Sequence, residues 1–352
     1  MLNKPKSLNK GDKVAIVSLS SGMLGEEFCS HQVELGTKRL REMGLEPVFM
    51  PHSLKGIKYL SENPNKRAED LKLAFKDDEI KGIICAIGGE DGFKIFPYLM
   101  EDEEFKELVK NNPKIFTGFS DTTHHHLMMY KFGMQSFYGP SFLTDIAELD
   151  KNMLEYTKNH FKTYFGEMVN GIKSSDVWYE ERKEFSKKNL GIARNSHKEE
   201  HGFELLQGKK QFSGELLGGC VESIYSLLSG DRYVEQKEIS EKYEIFPTLE
   251  EWKGKILFLE TCEDKTKPEK LEIMLDRIKE TGIFEVVNGV FVGKPQDECY
   301  YEEYKEILKK VIGNEKLPIL YNINFGHAYP RCVLPYGALA EYDDDEKIIK
   351  IK

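Results

Sequence analysis

Three short apolar runs, each stopping at a cluster of small residues, constrain this chain more than any other feature. Val14 to Leu19 (VAIVSL), Gly82 to Ile87 (GIICAI) and the run from Lys114 to Gly118 are rich in β-branched residues and lack polar alternation. Strands of this kind are covered on both faces, as in a parallel sheet. They end in Ser20-Ser21-Gly22, in Gly88-Gly89-Glu90-Asp91-Gly92 and in Gly118-Phe119-Ser120. Between them, helical spacing (Val33, Leu35, Leu40, Met43; then Leu71 and Phe75; then Glu104 to Lys110) and a short Pro47–Met50 strand give an alternating strand and helix rhythm. That rhythm predicts an α/β domain with a doubly wound, mostly parallel sheet and helices on both faces, whose ligands bind at the carboxyl ends of the strands.

A length of 352 residues accommodates two such cores. Residues 1–168 form the expected N-terminal α/β domain. Gly166 to Gln211 is polar, charged and poor in periodic apolar spacing, so 169–211 is expected to be a linker or substrate loop, with Trp178 standing inside it. Residues 212–352 read as a smaller C-terminal α/β domain with a mixed sheet. Its expected elements include a Val221–Leu228 helix, strands at Gly254–Glu260, Val286–Val292 and Leu317–Ile323, and closing antiparallel strands at Leu334–Tyr342 and Ile348–Ile351.

A net charge of -10 argues against nucleic acid or an anionic membrane as partner and favours a small molecule or peptide. No apolar run reaches the roughly twenty residues of a membrane span, and the first residues lack a secretory signal's apolar core, so a cytoplasmic location is expected. Six scattered cysteines without a C-x-x-C pair read as buried free thiols rather than a zinc site or a disulfide framework.

Ser120 sits where an apolar strand turns into a helix-compatible segment, and such a turn pushes a side chain out of the sheet beside the free N–H groups of the helix. Gly118-Phe119-Ser120-Asp121-Thr122 is a relative of the G-x-S-x-G elbow, with Thr122 in place of the second glycine. Ser120 as a plain helix cap is the competing interpretation. A nucleophilic serine needs a base and a group to orient that base. Of nine histidines, His31, His52, His160, His197 and His201 lie in helical or charged stretches where a solvated side chain is expected, and at most one of His124, His125 and His126 would face back to the elbow. His327 follows Gly326 in a loop after a buried strand and is the expected base. Glu260 closes the apolar ILFLE strand, and a buried carboxylate there needs a partner; His327, Lys265 and Lys294 all qualify.

Taken together, AIGGEDG (Ala86 to Gly92), GFSDTT (Gly118 to Thr123), ILFLE (Ile256 to Glu260) and FGHAYP (Phe325 to Pro330) resemble the serine LD-carboxypeptidases, in particular the branch similar to the microcin C self-immunity peptidase. The resemblance implies a Ser-Glu-His triad on Ser120, Glu260 and His327 and an oxyanion hole from the backbone N–H groups of Gly89 and Asp121. It also implies a homodimer and a serine peptidase that uses no cofactor and no metal. Glu90 and Asp91 after the double glycine, and Trp178 in the Trp178-Tyr179-Glu180-Glu181 segment, resemble the immunity branch, in which a tryptophan stacks on a nucleobase; packing at the domain boundary is the alternative for Trp178. The implied substrate is a peptidyl or aminoacyl nucleotide such as processed microcin C, the alternatives being release of D-alanine from a murein tetrapeptide and a non-catalytic protein that sequesters a nucleotide-peptide. A nucleotide-dependent phosphotransferase is a weaker rival, since the Gly88-to-Gly92 turn only faintly resembles the G-G-D-G turn of NAD kinases and no phosphate-cradling G-x-x-x-x-G-K-[ST] loop is present.

Overall fold

The computed structural model of the chain describes residues 2–167 and 171–352. Two compact units emerge, the first comprising Met1–Met168 with Arg182–Arg194 and the second Val169–Glu181 with Asn195–Lys352. The expected boundary between 168 and 169 lies outside the described residues.

In the first unit the strands β1 (Lys13–Val17), β2 (Glu46–Phe49), β3 (Ile80–Cys85), β4 (Ile115–Gly118) and β5 (Phe137–Tyr138) lie in the order β5-β4-β3-β1-β2. Their pairings are all parallel. The unbroken apolar character of β1 and β4 follows from this, because nearly every side chain along them is buried. β3 lies between β1 and β4, so the loops leaving these three strands emerge side by side at one end of the sheet. The helix Pro64–Lys76 starts on its proline, whose missing N–H costs nothing at the first helical position. It buries Leu71 and Phe75 together with Arg67, which is fully buried and donates to the carbonyls of Leu19 and Ser20 and to the Asp91 carboxylate.

The stretch expected to be structureless is divided. Residues 182–194 belong to the first unit, where Arg182 and Arg194 both reach the buried Glu148 carboxylate (Arg194 Nε at 2.7 Å). In the second unit the same stretch supplies β6 (Val177–Tyr179) paired antiparallel with β7 (Ser196–Lys198), and β8 (Glu204–Gln207). Sequence spacing misses these strands because they are three or four residues long and β7 is exposed throughout.

The second unit is built on β9 (Gln211–Cys220), β10 (Ile256–Glu260), β11 (Gly289–Gly293) and β12 (Ile319–Ile323), which are mutually parallel. After the two-residue β13 (Leu334–Pro335) come β14 (Leu339–Asp343) and β15 (Ile348–Ile351). The mixed sheet runs β15-β14-β9-β10-β11-β12-β8, with antiparallel pairings at β15, β14 and β8. Two expectations are corrected here. The Val286–Val292 strand is a helical turn at Ile283–Val286 followed by β11, and Leu334–Tyr342 is broken between β13 and β14.

Gly218 shows how tightly the centre of this sheet is built. It pairs with Phe258 across β9 and β10, and a Cβ on it would sit 1.9 Å from the Phe258 carbonyl oxygen. The Gly218 carbonyl accepts a hydrogen bond from the Tyr336 hydroxyl at 2.7 Å, and the Tyr336 ring packs edge-on against Phe258 at 5.1 Å. Gly218→Ala should therefore lower stability by about 1–3 kcal/mol, the usual penalty of overpacking a fixed core, visible as a lower urea midpoint with an unchanged m-value.

Candidate active site

In the first unit the three neighbouring loops converge on Ser120. β4 ends at Gly118, Ser120 opens a short 3-10 turn and the helix Thr123–Lys131 follows. Ser120 has φ of 62°, a left-handed conformation that non-glycine residues rarely adopt, as an elbow at a strand-to-helix turn requires. Neither the turn nor the helix receives a side-chain cap. The helix-cap reading of Ser120 therefore finds no support.

Asp121 fastens the elbow to its neighbours. One of its oxygens accepts from Ser20 Oγ at 2.6 Å and from the Gly92 N–H at 2.8 Å, while the other meets His124 Nδ1 at 2.9 Å. Burial would raise the Asp121 pKa, but the His124 charge and the hydrogen bonds from His124 and Ser20 outweigh it and hold the carboxyl well below the usual range. Ser21 N–H donates to the Gly88 carbonyl at 3.1 Å, so the double-glycine turn is held from the β1 side as well. A Cβ on Gly88 would lie 2.7 Å from Ser120 Cβ, and Gly89, at φ of 149°, would place one 2.3 Å from Ser20 Oγ. Both glycines are thus required by close approach, Gly88 to Ser120 and Gly89 to Ser20 and Ser21.

The histidines after the elbow differ from expectation. All three are buried: besides the His124 contact, His125 Nε2 meets the Gly92 carbonyl at 3.1 Å, and His126 bridges Ser136 Oγ and the Gly118 carbonyl. Burial pushes His125 down to about 4 and His126 down to about 3. His31 and His160, expected to be solvated, are buried too. Of the proposed substrate contacts in this unit, Glu90 is exposed, whereas Asp91 is engaged by Arg67 at 2.7 Å and by Lys94 at 3.4 Å.

In the second unit Glu260 ends β10 and His327 lies in the loop after β12. Glu260 Oε2 takes two hydrogen bonds from this one residue, from the His327 backbone N–H at 3.1 Å and from Nδ1 at 2.7 Å. Gly326 makes this possible: it has φ of 84°, and a Cβ there would fall 2.3 Å from Glu260 Cγ. The other partners considered for Glu260 are used elsewhere, Lys265 on Asp297 at 2.8 Å and Lys294 on Glu199 at 3.0 Å. The other face of the ring has a second carboxylate, since His327 Nε2 lies 3.0 Å from Glu263, which the sequence did not single out. Burial would lower the His327 pKa, but the Glu260 charge and the hydrogen bonds to Glu260 and Glu263 raise it to about 10.

Cys220 Sγ, a Glu260 oxygen and a His327 ring nitrogen lie within 4.8 Å of one another, a spacing that suits a soft cation, but the thiol already donates to Glu222 at 3.2 Å. Cys29, Cys85 and Cys332 are likewise buried free thiols, while Cys262 and Cys299 are half-buried. No helix among the described residues is long and apolar enough to cross a membrane. Trp178 is 9% exposed; its ring stacks on His197 at 4.2 Å between centroids, and Lys294 Nζ lies 5.3 Å from its centre. The backbone beside it, Tyr179, bridges to Tyr329, two residues beyond the candidate base.

Residues 14–139 match the model of the LD-carboxypeptidase N-terminal domain, and residues 213–342 match that of the C-terminal domain. The chain belongs to the LD-carboxypeptidase family. Among solved structures it resembles an MccF-like protein from Streptococcus pneumoniae in complex with AMP, at 49% identity and a TM-score of 0.94, over 97% of this chain and 98% of that one. Among curated proteins it is 28% identical to the "Probable murein peptide carboxypeptidase" of Bacillus subtilis (strain 168), over 99% of this chain and 94% of the relative. It is 24% identical to the microcin C7 self-immunity protein MccF of Escherichia coli, over 90% and 86%. Family membership makes the chain a peptidase-type hydrolase, and it bears out the α/β architecture in two domains.

The raised His327 pKa gives stability a definite pH dependence. A basic group with a folded-state pKa above its unfolded value of 6.5 contributes in full below about pH 6.5 and loses that contribution as pH rises toward about 10. The stability advantage of the wild type over His327→Gln should therefore be larger at pH 6 than at pH 10, as measured by chemical denaturation at each pH.

Proposed function

We propose that the chain is a cytoplasmic, homodimeric serine carboxypeptidase that cleaves a terminal amide through an acyl-enzyme. Its substrate on this reading is a peptidyl or aminoacyl nucleotide of the processed microcin C type. The observation that carries the proposal is the carboxylate-oriented imidazole: Glu260 on Nδ1 fixes the tautomer that leaves Nε2 to act as base. Ser120 Oγ attacks the carbonyl carbon as its proton passes to His327 Nε2. The backbone N–H groups of Gly89 and Asp121 hold the oxyanion, each such donor being worth about 3 kcal/mol in comparable sites. The tetrahedral intermediate collapses, Nε2 returns the proton to the leaving nitrogen, and water then cleaves the acyl-Ser120 ester by the same route in reverse. The scheme balances with neither metal nor cofactor, and it requires the Ser120 hydroxyl to reach Nε2.

Support for a nucleotide leaving group comes from Trp178 and from the AMP bound by the similar pneumococcal protein. In this reading 169–211 is the substrate loop, and a nucleobase displaces the partly exposed His197 ring from the Trp178 face. Glu90 and Asp91 line the approach to the double-glycine turn. The murein reading keeps one specific observation in its favour, the similarity to the Bacillus subtilis relative.

Two measurements test the proposal. A fluorophosphonate should label Ser120 alone, and Ser120→Ala should cut kcat/KM by several orders of magnitude, on the order of 10⁴ or more; retention of activity would overturn Ser120 as the nucleophile and, with it, the role given to His327. Purified protein should turn over an aminoacyl or peptidyl nucleotide, and Trp178→Ala should raise its KM by about tenfold or more, the worth of one stacked base, with little change in kcat. Turnover of murein tetrapeptide alone, unaffected at Trp178, would transfer the assignment to the murein reaction.

A further inference from the structure

A general base must have its proton-accepting nitrogen clear when substrate arrives. In the second unit that nitrogen, His327 Nε2, is met at 3.0 Å by Glu263, while Nδ1 is held by Glu260 at 2.7 Å. An imidazole between two carboxylates is held as imidazolium, which cannot take a proton from serine. The two carboxylates differ in how they are set. Glu260 is 1% exposed and fixed at a strand end, whereas the Glu263 side chain is 58% exposed.

The backbone carrying Glu263 is nevertheless anchored. The Glu222 carboxylate accepts from the Cys262 N–H at 3.1 Å and from Thr266 Oγ1 at 2.7 Å, stapling the loop on both sides of Glu263. Glu222 itself is buried at the start of the helix Val221–Ser229. The loop is fixed at its flanks, and the Glu263 side chain is the part able to swing.

Resting on the reading of His327 as the base, we propose that Glu263 is a positioning residue, a latch on the base that opens for a substrate whose acyl residue carries an ammonium group. The geometry supplies the substrate class. In acyl transfer Nε2 lies beside the serine oxygen and the scissile bond, so a carboxylate 3.0 Å from Nε2 stands next to whatever flanks that bond. A free α-ammonium or a basic side chain on the acyl side offers Glu263 a replacement for His327, freeing Nε2 at the moment the substrate is seated. Arg232, whose charge also acts on Glu263, lies in the same unit and can share the released carboxylate.

The test compares two versions of one aminoacyl nucleotide, with a free and with an acetylated α-amine, across a pH series, for the wild type, Glu263→Gln and Glu263→Asp. The wild type should prefer the free amine by about tenfold to a hundredfold in kcat/KM, the worth of one hydrogen bond to a charged group. Glu263→Gln should lose that preference, and its acidic limb of kcat/KM for the acetylated compound should move to lower pH; Glu263→Asp should restore part of the preference. An unchanged preference and pH limb in Glu263→Gln would overturn the latch alone, since a merely structural Glu263 shifts neither. Failure of the fluorophosphonate to label Ser120 in Glu263→Gln, where the latch is absent, would overturn the hydrolase reading and the latch with it.

Discussion

The contact on which the candidate site of the second unit depends is the hydrogen bond between the Glu260 carboxylate and the His327 imidazole in its core. Left unpaired, Glu260 at the end of an apolar strand would be a buried charge, which protein interiors do not tolerate without a partner. His327 supplies both its backbone N–H and its ring, but only because the residue before it has no side chain. Gly293 helps in the same way from β11, where a Cβ would meet Glu260 Cβ at 2.7 Å and the Phe325 carbonyl oxygen at 2.9 Å. Two glycines, one strand end and one loop thus fix the orientation of the ring. The carboxylate and the imidazole are oriented by the scaffold itself.

The serine side is arranged on a different principle. Three adjacent parallel strands deliver three loops to one edge, and a single buried carboxylate, Asp121, ties them together through Ser20 and the Gly92 N–H. The strained backbone of Ser120 is sustained by this cross-bracing, as an unusual φ must be. Arg67 continues the brace on the far side, gripping carbonyls after β1 and the carboxylate of the double-glycine loop.

The framework was legible in the sequence because its signals are local. Apolar runs mark β1, β3 and β10, and small-residue clusters mark the ends of the first two. Ser120, Glu260 and His327 could each be picked out by position, and the need to neutralise a buried acid called for a partner at Glu260, but only the structure chooses His327 over Lys265 and Lys294. What could not be read depends on distant neighbours. The residues 182–194 join the first unit through a buried Glu148 more than thirty positions earlier. Glu263 meets His327 only because two loops fold back together. The three consecutive histidines looked like a polar helix start, and only the carbonyls of Gly92 and Gly118 and the carboxylate of Asp121 explain why such residues sit in the interior. Trp178 stood out as an isolated indole, but the His197 ring lying on it comes from the opposite strand of a hairpin too short for periodicity to reveal.

Those interior histidines carry a consequence for the electrical character of the surroundings of Ser120. With His125 pushed down to about 4, His126 down to about 3 and Asp121 held ionised well into the acid range, these three groups keep their protonation states constant throughout the neutral range. These three present a fixed field to Ser120, indifferent to modest acidification of its medium.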